Sequence, residues 1–268
     1  MVKGKITFIG AGNMAEALIR GILGAGGKTE DITATDIKKE RLEYIKSKTG
    51  VVTLADNRLA IQDAKVVVLS VKPQAIRQVV EEISGVLGEG TLVISIAAGV
   101  SIRSLEEGLG EGIKIVRVMP NTPVLVGEGI SAISLGQYAG REEEDLVKEI
   151  FSSVGKVVVV KEESMDIITA ISGSGPAYIF LAIEGLVEAG IQAGLSEEVT
   201  LALSTQTVLG AAKMTIETGE APETLRQKVT SPGGTTEAAL RVLSERGWKS
   251  SLIAAVRAAT ARSKELGQ

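Results

Sequence analysis

Apolar and polar positions follow two different rhythms along this chain, and the rhythm changes near residue 160. Before that point, short β-branched runs recur: Ile6–Ile9, Ile32–Thr35, Val51–Leu54, Val66–Ser70, Leu92–Ile96, Lys114–Val118, Ile130–Leu135 and Val157–Val160. Between them, Met14–Leu23, Lys38–Lys48, Ala75–Leu87, Ile102–Leu109 and Arg141–Val154 repeat apolar residues at helical spacing, the mark of a helix with one buried face. Strands alternating with helices predict a parallel sheet with helices on both faces. Burial on both faces also explains why Val66–Leu69 is continuously apolar.

After Glu162 the strand runs stop. Met165–Ile171, Pro176–Ala193, Glu197–Thr218, Pro222–Val229, Thr235–Glu245 and Ser250–Leu266 read as helices, with starts marked by Ser174 before Pro176 and by Ser196 before Glu197. The charged stretch Lys161–Ser164 reads as an exposed boundary, giving domains of 1–161 and 162–268. In Pro176–Ala193 the polar residues Glu184, Glu188 and Gln192 form one narrow stripe, and Leu201–Met214 carries mostly Ser and Thr as its polar residues. A helix apolar nearly all round must be buried nearly all round. A domain of about a hundred residues rarely buries two such helices by itself, so an oligomer interface is expected there, a central helix of a monomeric bundle being the alternative.

Composition narrows the chemistry. The 268 residues include no Cys and no His, which removes disulfides, thiol nucleophiles, His-ligated metals and histidine acid–base catalysis. No metal site is expected. A net charge of −4 and 3% aromatic residues argue against a nucleic-acid partner. The most apolar runs fall well short of the ~20 residues that span a bilayer, and no targeting segment is evident. The expectation is a soluble, cytoplasmic protein without a membrane partner.

Gly10-Ala11-Gly12-Asn13-Met14-Ala15 follows the first strand and opens a helix, matching the G-x-G-x-x-A pattern of Rossmann-type dinucleotide-binding domains. Gly10 permits the tight turn, Gly12 lets a pyrophosphate approach the backbone, and the helix N-terminus offers free amides. Asp36 ends the second strand, where a carboxylate meets a ribose. Lys38, Lys39 and Arg41 follow, either to neutralise a 2′-phosphate or as a solvated helical turn. Ser70-Val71-Lys72-Pro73, Ala97-Ala98-Gly99 and Asn121 with Thr122 end later strands, where ligands of open α/β sheets sit. Lys72 reads equally as a catalytic or phosphate-binding lysine and as a loop cation. In the helical half, Ser172-Gly173-Ser174-Gly175-Pro176 and Ser231-Pro232-Gly233-Gly234-Thr235-Thr236 read as glycine-rich loops exposing amides at helix starts. The first suits plain capping as well as a ligand; the second favours a small carboxylate.

Together with Phe8–Met14, Val71–Pro73, Ala97–Val100, Met119-Pro120-Asn121-Thr122-Pro123 and Ser172–Tyr178, the Ser231–Thr236 segment gives a chain that resembles the pyrroline-5-carboxylate reductase family from end to end. The resemblance implies an α/β fold: an N-terminal Rossmann-type domain followed by an all-α dimerisation domain, as a homodimer or a larger ring such as a homodecamer. It also implies reduction of 1-pyrroline-5-carboxylate to L-proline by NADPH or NADH. Carried over by motif, Ile9, Gly10, Ala11, Gly12, Asn13 and Met14 would hold the pyrophosphate, and Thr35 and Asp36 the ribose. Asn57 would lie near the adenosine half, and Ser70, Val71, Lys72, Pro73, Ala97, Ala98 and Gly99 would flank the nicotinamide. Ser231, Gly233, Gly234, Thr235 and Thr236 would cradle the substrate carboxylate. Thr236, or Thr235, would be catalytic by holding the ring nitrogen. The family's acidic residue before a proline falls here at Gly219 or Glu220. Asp36 departs from the small polar residue of NADP-preferring members.

The implied chemistry suits a chain without histidine. A cyclic imine that arrives protonated is already electrophilic, so hydride transfer needs positioning more than an acid. The competing readings are a 3-hydroxyacid reductase of similar architecture and a non-enzymatic dinucleotide sensor. The first would carry a lysine soon after Gly173–Gly175, where this chain has Ala177-Tyr178-Ile179-Phe180. The second would have no use for an anion pocket.

Overall fold

A computed structural model describes residues 4–266. Packing divides the chain into two compact units, one holding the residues up to Ser174 with the chain from Ala259 onward, the other Gly175–Ala258.

In the first unit the order is β1 (Lys5–Ile9), α1 (Asn13–Gly24), β2 (Ile32–Thr35), α2 (Lys39–Thr49), β3 (Val52–Leu54), α3 (Asn57–Ala60), β4 (Ala64–Leu69), α4 (Pro73–Ile83), β5 (Leu92–Ser95), α5 (Ile102–Leu109), β6 (Lys114–Met119), β7 (Gly129–Leu135), α6 (Arg141–Ser152), β8 (Gly155–Val159) and α7 (Met165–Ile168). The eight strands form one sheet in the order β3-β2-β1-β4-β5-β6-β7-β8. β1 to β6 are parallel in the 3-2-1-4-5-6 order of the dinucleotide fold. The expected parallel sheet is interrupted at β7, which runs antiparallel to β6. Only residues 120–128 join these strands, too few for a crossover helix, and Thr122–Val126 is a single 3₁₀ stretch. α6 then supplies a crossover, and β8 is parallel to β7.

The continuous apolar run of β4 sorts by alternation. Val66 and Val68 pack with Leu18 and Ile19 of α1 and Phe151 of α6. Val67 and Leu69 pack with Ile76 and Val80 of α4 and Leu105 of α5 on the other face. α4 starts at Pro73, earlier than its apolar pattern, because proline suits the first helical position. α3 is one turn, too short for a periodic signal, and is capped by Asp56, which accepts from the Leu59 amide at 3.0 Å.

The segment 172–176 is not the open loop expected from its glycines. α7 passes into a π-helical turn, Thr169–Gly173, and the Ser174 amide donates to the Thr169 carbonyl at 2.8 Å. The Ser172 hydroxyl donates to the Ile168 carbonyl at 3.0 Å. Gly173 packs close to β6: a Cβ there would lie 2.6 Å from Met119 Cε and displace the end of that side chain. The sequence shows small residues for close packing, and no fan of free amides results.

The second unit contains α8 (Gly175–Gln192), α9 (Glu197–Thr218), α10 (Pro222–Lys228), α11 (Thr235–Glu245) and α12 (Trp248–Leu266), the last leaving the unit at Ala259. α8 and α9 approach closely at Gly190, where a Cβ would overlap the Thr200 side chain. Burial is inverted: no apolar residue of 175–258 is buried, whereas Thr200 and Ser204 are. Phe180, Leu181, Leu203 and Ile216 are each more than half exposed. The helical run Glu162–Gln192 is also long and apolar enough to cross a membrane by length and composition, which the shorter runs read from the sequence did not anticipate.

Candidate functional site

The C-terminal edge of the sheet assembles the predicted dinucleotide residues around the β1–α1 turn. Gly10 has φ +94°, and its amide donates to the Thr35 carbonyl at 3.0 Å. A Cβ there would sit 2.8 Å from the Ser70 carbonyl oxygen, so only glycine passes between β2 and β4. Gly12 is the N-cap of α1 and offers no side-chain cap. A Cβ built on it meets nothing within 4 Å. The amides of Asn13, Met14 and Ala15 therefore open the helix with no side chain across them, and the space before them suits a pyrophosphate. Ala15 is fully buried, as close helix–sheet packing demands.

Several predicted contacts are already engaged within the protein. The Ala11 amide donates to Asp36 Oδ2 at 3.0 Å, and its carbonyl accepts from Arg41 Nε at 2.5 Å. Ala11 therefore shapes the turn and has no free amide for a phosphate. Ile9 is buried, and its carbonyl accepts from the Ser70 amide and hydroxyl. The Ser70 hydroxyl also lies 2.5 Å from the Gly10 carbonyl oxygen. Thr35 is 1% exposed, and its hydroxyl lies 2.5 Å from Asn57 Oδ1. Asn57 donates in turn to Glu82 on α4 at 2.8 Å. Asn121 accepts from the Ile130 amide at 2.9 Å, so its carbonyl secures β7 and its amide nitrogen is what remains for a ligand. Val71 and Pro73 are half-buried, Lys72 is exposed, and Ala97 and Gly99 are buried around the half-buried Ala98.

Sequence reasoning missed the acidic anchor of this turn. Glu16 Oε2 accepts from Arg41 at 2.7 Å and Oε1 from Arg20 at 2.8 Å. Burial alone would raise the Glu16 pKa, but its hydrogen bonds to Arg20 and Arg41 outweigh that and hold it below the usual carboxylate range. The Glu16–Arg20 half is legible as an i,i+4 pair; the reach of Arg41 from α2 has no local signal. Arg117, 7% exposed on β6, similarly meets Glu162 at 3.0 Å, and the Ile102 amide donates to the same oxygen at 2.7 Å.

In the second unit, Gly233 has φ +71° and Gly234 is the N-cap of α11, again with no side-chain cap. The Gly234 amide donates to the Ser231 carbonyl at 3.0 Å. A Cβ at Gly234 would lie 2.5 Å from Ser231 Oγ. Thr235 is exposed and Thr236 half-buried, and their amides begin the helix uncapped. Glu237 Oε2 accepts from the Gly233 amide at 2.7 Å, so this loop already holds one carboxylate, its own. Glu220 does not join the loop through a hydrogen bond; it pairs with Lys228 at 2.5 Å.

The family model for pyrroline-5-carboxylate reductase dimerisation matches residues 162–266, and that for F420-dependent NADP oxidoreductases matches 5–99. The chain is 42% identical to the pyrroline-5-carboxylate reductase of Corynebacterium melassecola over 266 residues, 98% of each protein. It is also 42% identical to that of Arabidopsis thaliana, covering 98% of this chain and 96% of the relative. The chain belongs to the pyrroline-5-carboxylate reductase family. The family's solved structures superpose over the whole chain: that from Coxiella burnetii with TM-score 0.93 at 43% identity, and that from Plasmodium falciparum, with NADP bound, with TM-score 0.92 at 36%, each covering 100% of both chains.

Proposed function

We propose that this chain reduces 1-pyrroline-5-carboxylate to L-proline with NADPH or NADH, the last step of proline biosynthesis. The observation that carries the reading is a pair of uncapped helix starts entered through glycine, at α1 and α11, in a family member without histidine. Gly10, Gly12, Asn13 and Met14 would hold the pyrophosphate, with Ala11 and Ile9 shaping the turn. Asp36 and Asn57 would face the adenosine half, with Thr35 fixing Asn57. Val71, Lys72, Pro73, Ala97, Ala98, Gly99 and Asn121 would bound the nicotinamide, with Ser70 bracing the glycine turn. When bound, the reduced nicotinamide supplies a hydride to the imine carbon.

The protein's part is positional. The Thr235 and Thr236 amides, with Ser231, Gly233 and Gly234 shaping the loop, would take the substrate carboxylate, and Thr236 would accept a hydrogen bond from the iminium nitrogen. That nitrogen keeps its proton as the double-bond electron pair moves onto it, so no side chain need deliver one. The Glu237 carboxylate accepting from the Gly233 amide supports this reading, since a carboxylate already meets this loop. Glu220 would reach substrate only by leaving Lys228. On this reading 1–161 is the dinucleotide-binding domain and 162–268 the substrate and dimerisation domain.

The inverted burial of α8 and α9 supports self-association into a homodimer or a larger ring such as a homodecamer, in the cytoplasm, with the apolar face of Glu162–Gln192 covered by protein instead of lipid. The test is the loss of NAD(P)H absorbance when pyrroline-5-carboxylate is added, with L-proline identified as product. Absorbance that falls only with 3-oxoacids, or with neither, would replace this reading by the 3-hydroxyacid enzyme or the sensor.

A further inference from the structure

Asp36 sits between two backbone donors. Oδ2 accepts from the Ala11 amide and Oδ1 from the Lys38 amide, each at 3.0 Å. These bonds hold the carboxylate at the end of β2 beside the glycine turn, where a nucleotide ribose bound on α1 presents its 2′ position. Each oxygen keeps a lone pair for a hydroxyl donor. A 2′-phosphate brings acceptors only and a second negative charge.

The rigid side chain that would welcome a phosphate there, and the amide nearest the Asp36 carboxylate, are otherwise engaged. The Lys38 amide belongs to Asp36. The Arg41 guanidinium is held by Glu16 and the Ala11 carbonyl and lies 4.9 Å over the Tyr44 ring. Lys39 is 87% exposed and 3.9 Å from Glu43. The Ile37 side chain, directly after Asp36, is 98% exposed and offers no donor. Its aliphatic surface instead suits the face of an adenine ring. Among the described side chains of this turn, Lys38 remains, as an exposed and well-screened cation.

We propose that this chain selects NADH over NADPH, with Asp36 as the specificity-determining residue and the Glu16–Arg41 pair withdrawing the one rigid cation that would reverse the choice. The inference rests on α1 being the nucleotide site. It concerns this chain's own residues, since the Plasmodium falciparum relative holds NADP.

Direct titration without substrate tests it, by nicotinamide fluorescence on the full-length protein. NADH is expected to bind at least about tenfold more tightly than NADPH, one charge–charge contact at this range being worth that much or more. Asp36→Asn, which keeps an acceptor for one amide and removes the charge, should shrink the ratio at least about fivefold, chiefly by tightening NADPH. NADPH binding as tightly as NADH to the unaltered protein would overturn the proposal even if the variant did not fold. An unchanged ratio in a folded variant would overturn the role of Asp36. Failure of both nucleotides to bind would instead remove the nucleotide site itself.

Discussion

At the scale of single residues, the candidate sites depend on which hydrogen-bonding groups the fold leaves free. Thr236 opens α11 half-buried, and among the described residues no side-chain cap closes this helix start. Thr236→Val should lower turnover with pyrroline-5-carboxylate about tenfold or more, as loss of one buried hydrogen bond to a charged group implies. NADH affinity measured without substrate should change less than about twofold, a split that a merely structural role would not give. Glu16 makes a different prediction. Its folded-state pKa is depressed, so its contribution to stability is present above the unfolded value, about 4.3, and disappears as pH falls through the folded value. Urea denaturation of Glu16→Gln should therefore show a deficit against the parent at neutral pH, and the two proteins should converge in acid. A deficit that did not change with pH would mean that lost packing, not lost charge, explains it.

At the scale of elements, α1 is the part whose use depends most on an open end. Gly12→Val places a branched side chain in the space before the Asn13, Met14 and Ala15 amides, where the added Cβ meets no protein atom within 4 Å. Nucleotide affinity should fall at least about tenfold while the circular dichroism and melting temperature stay near those of the parent. Elements were also where the sequence was most legible. α1 and α5 could be read because each buries one periodic face, and β1, β2 and β4–β6 because burial on both faces leaves short, β-branched apolar runs. The reversal at β7 was not, because it depends on the shortness of the 120–128 link and not on any residue in the strand. The π-helical turn at 169–173 escaped for the opposite reason: its Ser and Gly residues suit an open loop as well as a tight helix, and it is defined by bonds such as Ser174 amide to Thr169 carbonyl that no local pattern announces. In the candidate site, Gly10, Gly12 and the Gly233–Gly234 pair were legible because glycine marks backbone geometry. The engagement of Thr35, Ser70 and Ala11 was not, because it comes from partners 22 or more residues away in sequence.

At the scale of the whole molecule, the two units bury their side chains in opposite ways. The sheet unit has apolar clusters on both faces. The helical unit leaves Phe180, Leu181, Leu203 and Ile216 in water and buries two hydroxyl residues. Apolar exposure on that scale is not stable for an isolated chain in water. Sedimentation at micromolar protein should show no monomer. A single species of monomer mass would mean that these helices fold in another arrangement when alone.

The inverted helical unit also ties durability to abundance. If the greasy flanks of α8 and α9 are sheltered only by another polypeptide of the same kind, the midpoint of thermal melting rises with protein concentration. Scarcity alone would then unfold a faultless molecule, and a newly made copy would stay vulnerable to proteases until it met another.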